Sequence, residues 1–183
     1  MSVSQNFFQL FGLAEQFDID LNQLSSTYRN IQRNTHPDRH AHASRRDQLL
    51  SMQYTANVNE AYETLSSPLK RASYLLKLKG VDLSEDNSTN MDPLFLMQQI
   101  ELREELETAR HAAAPESSLE QIGSKLREQL QDYETLFRQQ MAEISPETSP
   151  ELLDKAAEQV KKMQFIVKMQ HEVERLEEEL LDY

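Results

Sequence analysis

The residues best placed to do chemistry lie between Tyr28 and Asp38, in the run YRNIQRNTHPD. Pro37 fixes its own φ and has no N–H to donate, and it pushes His36 out of the α region. A helix entering this stretch must therefore stop near Thr35, leaving His36, Pro37 and Asp38 as an exposed turn that presents one carboxylate. Arg29 and Arg33 are four residues apart and share one face of the incoming helix. The result is a cationic face next to a rigid turn that presents one carboxylate, with Arg39 following it. In isolation the tripeptide reads as a Pro-containing turn with an incidental Asp, and only its flanks argue for more. His36, His40 and His42 raise the question of a metal, but Pro37 interrupts the helical i, i+4 spacing. A polar loop is the expected reading, with no metal and no cofactor.

The remaining chemistry is sparse. The 183-residue chain has no cysteine, which excludes disulfides and thiolate ligands from this chain. It carries no G-x-x-x-x-G-K-[ST] run and no Gly-rich phosphate loop, so no catalytic residue is assigned and no enzyme activity is expected. Neighbouring carboxylates such as Glu104/Glu105 and Glu177/Glu178/Glu179 are the solvated faces of acidic helices. Charge is uneven within the net −12. Residues 1–80 hold nine Lys/Arg against seven Asp/Glu, whereas residues 81–183 hold ten against twenty-four. Two parts of different charge suggest two modules with different partners. The acidic half argues against nucleic acid, whose phosphates need a basic footprint. No apolar run approaches the roughly 18 residues of a membrane span, and the opening MSVSQNFFQLFGL lacks the basic segment and cleavage site of a secretory signal.

Only three glycines, with Leu, Glu and Gln abundant, predict an all-α chain. Residues 5–12 read as a short apolar helix closed by Gly12. Asp20 caps a helix from Leu21 to about Asn34, with Leu21, Leu24, Tyr28 and Ile31 at core spacing. A long helix from about Ala43 to Leu65 follows the turn, its inward stripe read as Leu49/Leu50, Tyr54, Val58, Ala61, Tyr62 and Leu65. Ser67-Pro68 opens a helix ending at Gly80. Residues 81–92 read as a linker. Asp92-Pro93 opens a helix to about Ala113. Ser117 and Glu120 form a capping box for the next helix, and Pro150 opens the last one, running to about Leu181. Three long helices joined by short loops make an antiparallel bundle. The domains are thus 1–80, a linker 81–92, and 93–183.

The helix from Pro93 carries two apolar faces. At about 100° per residue, Phe95, Leu102, Leu106, Ala109 and Ala113 form one stripe. Leu96, Met97 and Ile100 cluster on nearly the opposite side, flanked by Glu101, Arg103 and Glu104. A bundle helix needs one apolar face, and a second, charge-rimmed patch marks a partner site or a contact with the first domain. Periodicity does not choose between them. In the last helix Phe165 points away from the stripe of Leu153, Ala156, Val160, Met163 and Val167. It either joins Met169, Val173, Leu176 and Leu180 in a second seam or faces a partner.

The first eighty residues resemble a J-domain, the module that stimulates the ATPase of DnaK-class chaperones. Tyr28 and the Arg29/Arg33 face precede the tripeptide. Asn59, Ala61, Tyr62, Leu65, Pro68, Arg71 and Tyr74 follow in the order N-x-A-Y-x-x-L-x-x-P-x-x-R-x-x-Y, and Arg39 keeps the charge of the usual Lys. In the second half, Phe95 to Glu107 (FLMQQIELREELE) and the ending RLEEELLDY resemble HscB-type J-domain co-chaperones of iron–sulfur cluster assembly. Gln98 and Ile100 stand where Glu and Leu are usual in that signature, and the cysteine-rich zinc knob of some eukaryotic relatives is missing. The resemblance implies an L-shaped protein in which a J-domain docks on an HscA-type chaperone and a three-helix domain holds the cluster scaffold IscU. It implies chaperone contacts at His36, Pro37, Asp38, Arg29, Arg33 and Arg39. It also implies scaffold contacts at Leu96, Met97, Ile100, Glu101, Glu104 and Phe165. A bacterial cytoplasm is the expected location, with a mitochondrial matrix as the second choice. A monomer is expected, with self-association of the acidic bundle as the rival. A general J-protein for unfolded clients and a non-chaperone helical adaptor are the competing functions.

Overall fold

The computed structural model describes residues 5–35, 44–83, 92–144 and 150–181. These residues form seven helices and no strand. They are α1 (Phe7–Phe11), α2 (Leu21–Thr35), α3 (Arg45–Ser66), α4 (Pro68–Leu78), α5 (Pro93–Arg110), α6 (Pro115–Glu143) and α7 (Pro150–Leu181). The chain divides into two compact units, Met1–Lys79 and Gly80–Tyr183.

In the first unit the helix ends follow their local chemistry. Asn6 and Gln9 form a reciprocal capping box at the start of α1. Gly12 closes it at φ 64°, a left-handed conformation that suits a residue without Cβ. Asp20 accepts from the backbone N–H groups of Asn22 and Gln23 to cap α2. Ser67 caps α4 with Pro68 in its first turn. Helices α2 and α3 pack together, and α1 and α4 pack on α3. The core gathers Phe8, Phe11, Leu24, Val58, Ala61, Leu65, Ala72, Leu75 and Leu76, all buried.

Arg71 and Tyr74 make two of this unit's inner polar contacts. Buried Arg71 donates from its guanidinium to the Leu65 carbonyl at 2.5 Å and lies 5.2 Å from the centroid of the Phe17 ring. Tyr74 stacks on Phe7 at 4.4 Å, and its hydroxyl accepts from the Phe7 backbone N–H at 3.0 Å. These contacts make the Arg and Tyr of the J-type motif ties between α4, the α3 carboxyl end and the amino-terminal segment. Arg71→Ala removes a charge-assisted hydrogen bond and the ring contact, and leaves the Phe17 side chain without its cover. The expected loss is about 2–4 kcal/mol, read as a lower urea midpoint for this unit's own transition with its slope unchanged.

The α3 stripe expected from periodicity is only partly core. Val58, Ala61 and Leu65 are buried, but Leu49 and Leu50 are 54% exposed and Tyr54 is 42% exposed. The reason is the length of the neighbour. Tyr28 stacks on Tyr62 at 4.0 Å, and antiparallel pairing from that point sets Thr35, the last residue of α2, opposite about residue 55. The turns of α3 before it have no facing helix among the described residues. Leu21, also expected in the core, is 50% exposed at the first turn of α2. Phe17, in the bend before α2, is buried in its place as an unforeseen core member.

The second unit is built on the long α6/α7 hairpin, with α5 laid along one end of it. There Leu102, Leu106 and Ala109 of α5 meet Leu119, Ile122 and Leu126 of α6, and Ile166, Met169, Val173 and Leu176 of α7. Toward the other end, Phe137, Ala156, Val160 and Met163 are buried. Asp92 caps α5, accepting from the Leu94 N–H at 3.0 Å, with Pro93 next. Helix α5 stops at Arg110, short of Ala113. The Ser117/Glu120 capping box does not form. Helix α6 begins two residues earlier at Pro115, whose fixed φ already suits a first helical turn, and Ala114 caps it without a side-chain hydrogen bond.

Gly123 sits inside α6, where an added Cβ would meet Arg127 Nη1 at 3.5 Å and Val173 Cγ1 at 3.7 Å, ordinary contact distances. Glycine inside a helix costs about 1 kcal/mol relative to alanine. Gly123→Ala should therefore raise the unfolding midpoint of this unit by a few degrees, and calorimetry that found a lower midpoint would show that the α6/α7 spacing needs the glycine.

Candidate functional site

The first candidate surface is the basic end of α2. Arg29 and Arg33 are exposed on that helix, which is described as far as Thr35. His36, Pro37, Asp38 and Arg39, with His40 and His42, lie outside the described residues. The described residues that lead up to them in sequence are those at the end of α2. The Tyr28 and Tyr62 rings lie 11° from parallel, and the Tyr28 hydroxyl donates to Asn59 Oδ1 at 3.0 Å while accepting from Gln32 Nε2 at 2.5 Å. Two turns of α2 are thereby fastened to α3 just before the tripeptide. Three of the J-type motif residues, Tyr28, Asn59 and Tyr62, act together in this clasp.

The second candidate surface is α5. Its inner face is fully used, with Phe95, Leu102, Leu106 and Ala109 buried. Leu96, Met97 and Ile100 are 42%, 58% and 55% exposed, and Leu94, not singled out from the sequence, is 67% exposed. Glu101, Arg103 and Glu104 are exposed around them. The apolar cluster is thus surplus to the bundle core, and its rim carries both signs of charge.

Phe165 turns out to do two things. It packs against the α5–α6–α7 cluster that contains Met169, Val173 and Leu176, so it belongs to the second seam. Its half-buried ring also stands edge-on to Phe95 at 5.6 Å and 84°, and the Arg103 guanidinium lies 5.8 Å from its centroid. Arg103 and Leu96 are seven residues apart, two turns along one ridge of α5. Phe165 therefore borders the side of α5 that carries Leu96. The floor beneath is aromatic: Tyr133 meets Phe95 edge-on at 6.4 Å. Lys162 lies 5.6 Å from the Phe95 centroid and 5.9 Å from that of Tyr133, and it is paired with Glu158 at 2.7 Å. Partial burial pushes the Tyr133 phenol above its usual range, with the Lys162 charge opposing. Beside it, a cleft of about 200 Å³ runs between α5 and α6 from Phe95 and Phe165 past Glu101 to Glu105, which Lys125 bridges at 2.8 Å. These contacts depend on how the helices are set against one another, and no spacing within one helix announces them.

Among the described residues no cluster of three His, Asp or Glu could hold a metal ion, and no helix is long and apolar enough to cross a membrane.

Comparison with known proteins matches both units. Residues 6–74 fit the DnaJ domain model, and residues 91–174 fit the model described as the HSCB C-terminal oligomerisation domain. The co-chaperone protein HscB homolog of Vibrio cholerae serotype O1 is 44% identical over 176 residues, 96% of this chain and 99% of that protein. The homolog from Aliivibrio salmonicida is 42% identical over the same shares. The solved structure of the chaperone HscB from Vibrio cholerae superposes with a TM-score of 0.83 at 41% identity, covering 96% of this chain and 99% of that one. The human co-chaperone protein HscB superposes at 0.82 with 25% identity, covering 95% and 83%. With a J-domain on one side, an HscB-type helical domain on the other, and close relatives matched over their full length, the chain belongs to the HscB family of J-domain co-chaperones.

Proposed function

We propose that this co-chaperone stimulates the ATPase of an HscA-type chaperone through His36, Pro37, Asp38, Arg29, Arg33 and Arg39. In this reading it brings the iron–sulfur scaffold IscU to that chaperone on Leu96, Met97, Ile100, Glu101, Glu104 and Phe165. The observation that carries it is the second face of α5: three half-exposed apolar side chains on a helix whose core face is already complete. A small apolar centre with a charged rim suits one folded partner of complementary shape, whereas unfolded clients call for a broad apolar groove. Joining a chaperone-binding and a scaffold-binding surface in one chain raises the effective concentration of scaffold at the chaperone, with no chemistry needed from the co-chaperone itself. The family model's description adds a capacity to self-associate, which we assign to the C-terminal unit of this chain as a weak and reversible one. The bacterial cytoplasm, where the relatives' source organisms would place such a pair, is the proposed location.

The test is single-turnover ATP hydrolysis by the chaperone with this protein alone, with IscU alone, and with both. Synergy restricted to the three-component mixture is the expected result. Stimulation indifferent to IscU but enhanced by an unfolded client would replace the scaffold role with that of a general J-protein.

A further inference from the structure

The exposed face of α5 also fits a second copy of itself. At 100° per residue, Asp92 and Arg103 lie 20° apart on one side of the helix, eleven residues or about 16 Å from each other. The patch lies between them: Leu96 is on the same ridge, Ile100 next to it, and Met97 close to the midpoint. Placing two copies of α5 antiparallel about a two-fold axis beside Met97 sets Arg103 of each against Asp92 of the other, because such an axis pairs like sides of the helices. Both are exposed, and both sit at the border of the apolar seam. The same register sets Glu104, which follows Ile100 along the seam, against the amino-terminal end of the opposing α5, the positive end of its dipole. Charge therefore complements charge twice in one symmetric arrangement, with Leu96, Met97 and Ile100 between.

We infer that α5 pairs antiparallel with α5 of a second copy through Leu96, Met97 and Ile100 with reciprocal Arg103–Asp92 contacts, and that this pairing and scaffold binding exclude one another. The exclusion rests on the scaffold reading above; the pairing does not. A stable dimer buries about 800 Å² per partner, far more than a few half-exposed side chains supply. The dissociation constant is accordingly expected in the range of tens to hundreds of micromolar. The second copy thus covers the patch when the protein is concentrated and gives way to a tighter partner.

Sedimentation equilibrium of the full chain between about 5 and 500 μM tests this. The expected result is a monomer–dimer equilibrium that Ile100→Glu abolishes. Arg103→Asp should weaken it at least fivefold, and adding Asp92→Arg to that variant should restore it to within about twofold. Circular dichroism checks that α5 stays helical without its Asp92 cap. Added IscU should convert dimer to one-to-one complex. A monomer throughout, association untouched by Ile100→Glu, or a swap that fails to restore it overturns the pairing. A complex of two copies with two scaffolds overturns the exclusion. Dimer formation with no IscU binding at all leaves the pairing standing and removes the proposed scaffold role instead.

Discussion

Asp38→Asn is expected to lower chaperone stimulation by roughly ten- to a hundredfold while leaving IscU affinity within about twofold of the parent. The substitution keeps the size of the side chain and removes its charge. A hydrogen bond to a charged partner contributes about 1.5–3 kcal/mol, and that range converts to the stated loss. The effect should be confined to the chaperone because the tripeptide and α5 belong to different compact units. Arg29→Glu with Arg33→Glu should act differently. Exposed charges on α2 steer encounter, so the double variant should slow association and flatten its salt dependence more than it weakens the formed complex. Single-turnover hydrolysis at several chaperone concentrations separates the two, since one variant lowers the plateau rate and the other the slope. Undiminished stimulation by Asp38→Asn would sink the assignment of the turn.

The second large effect is expected on α5. Leu96→Ala with Met97→Ala should weaken IscU binding by roughly a hundredfold, taking about 1–2 kcal/mol for each truncated apolar contact. Ile100→Glu, which places a carboxylate in the seam, should match or exceed that. All three side chains are exposed, so the unfolding midpoint should stay within a degree or two. Phe165→Ala should behave otherwise. Its ring packs into the α5–α6–α7 cluster and against Phe95, so the variant should lose affinity and stability together. Calorimetric titration with IscU, alongside thermal unfolding of each variant, distinguishes the patterns. If the Leu96/Met97 variant bound IscU normally and still stimulated the chaperone, the scaffold surface would have to be sought elsewhere on the chain.

How much of this could be read in advance depended on whether the controlling interaction was local. Gly12, Asp20, Ser67-Pro68 and Asp92-Pro93 end or start helices through their own backbone preferences, and each does so in the structure. The second face of α5 was legible for a related reason: periodicity within one helix separates a core stripe from a surplus one. Leu49, Leu50 and Tyr54 continue a valid stripe on α3, yet burial requires a facing helix, and among the described residues none reaches them. Ser117 and Glu120 had the spacing of a capping box, and Pro115 started the helix ahead of them. Phe17 was invisible because a single aromatic in a bend has no period. The double role of Phe165 and the placement of Lys162 between two rings follow from the mutual setting of α5, α6 and α7, which a linear pattern does not encode.

Two compact units, each with its own buried core, also bear on what a melting curve of this chain would mean. A single all-or-none transition is an approximation for one cooperative block, and here there are two, of different composition and charge. The N-terminal core buries Phe8, Phe11 and Phe17, the last beside a buried guanidinium, whereas the C-terminal core is mainly Leu, Ile, Val, Met and Ala from long helices, with Phe95 and Phe137. Heat or denaturant should act on them as separate subdomains, each with its own enthalpy and its own slope. Hydrogen exchange would then sort the amides into two populations with distinct opening free energies, so that one unit can open while the other keeps its partner bound.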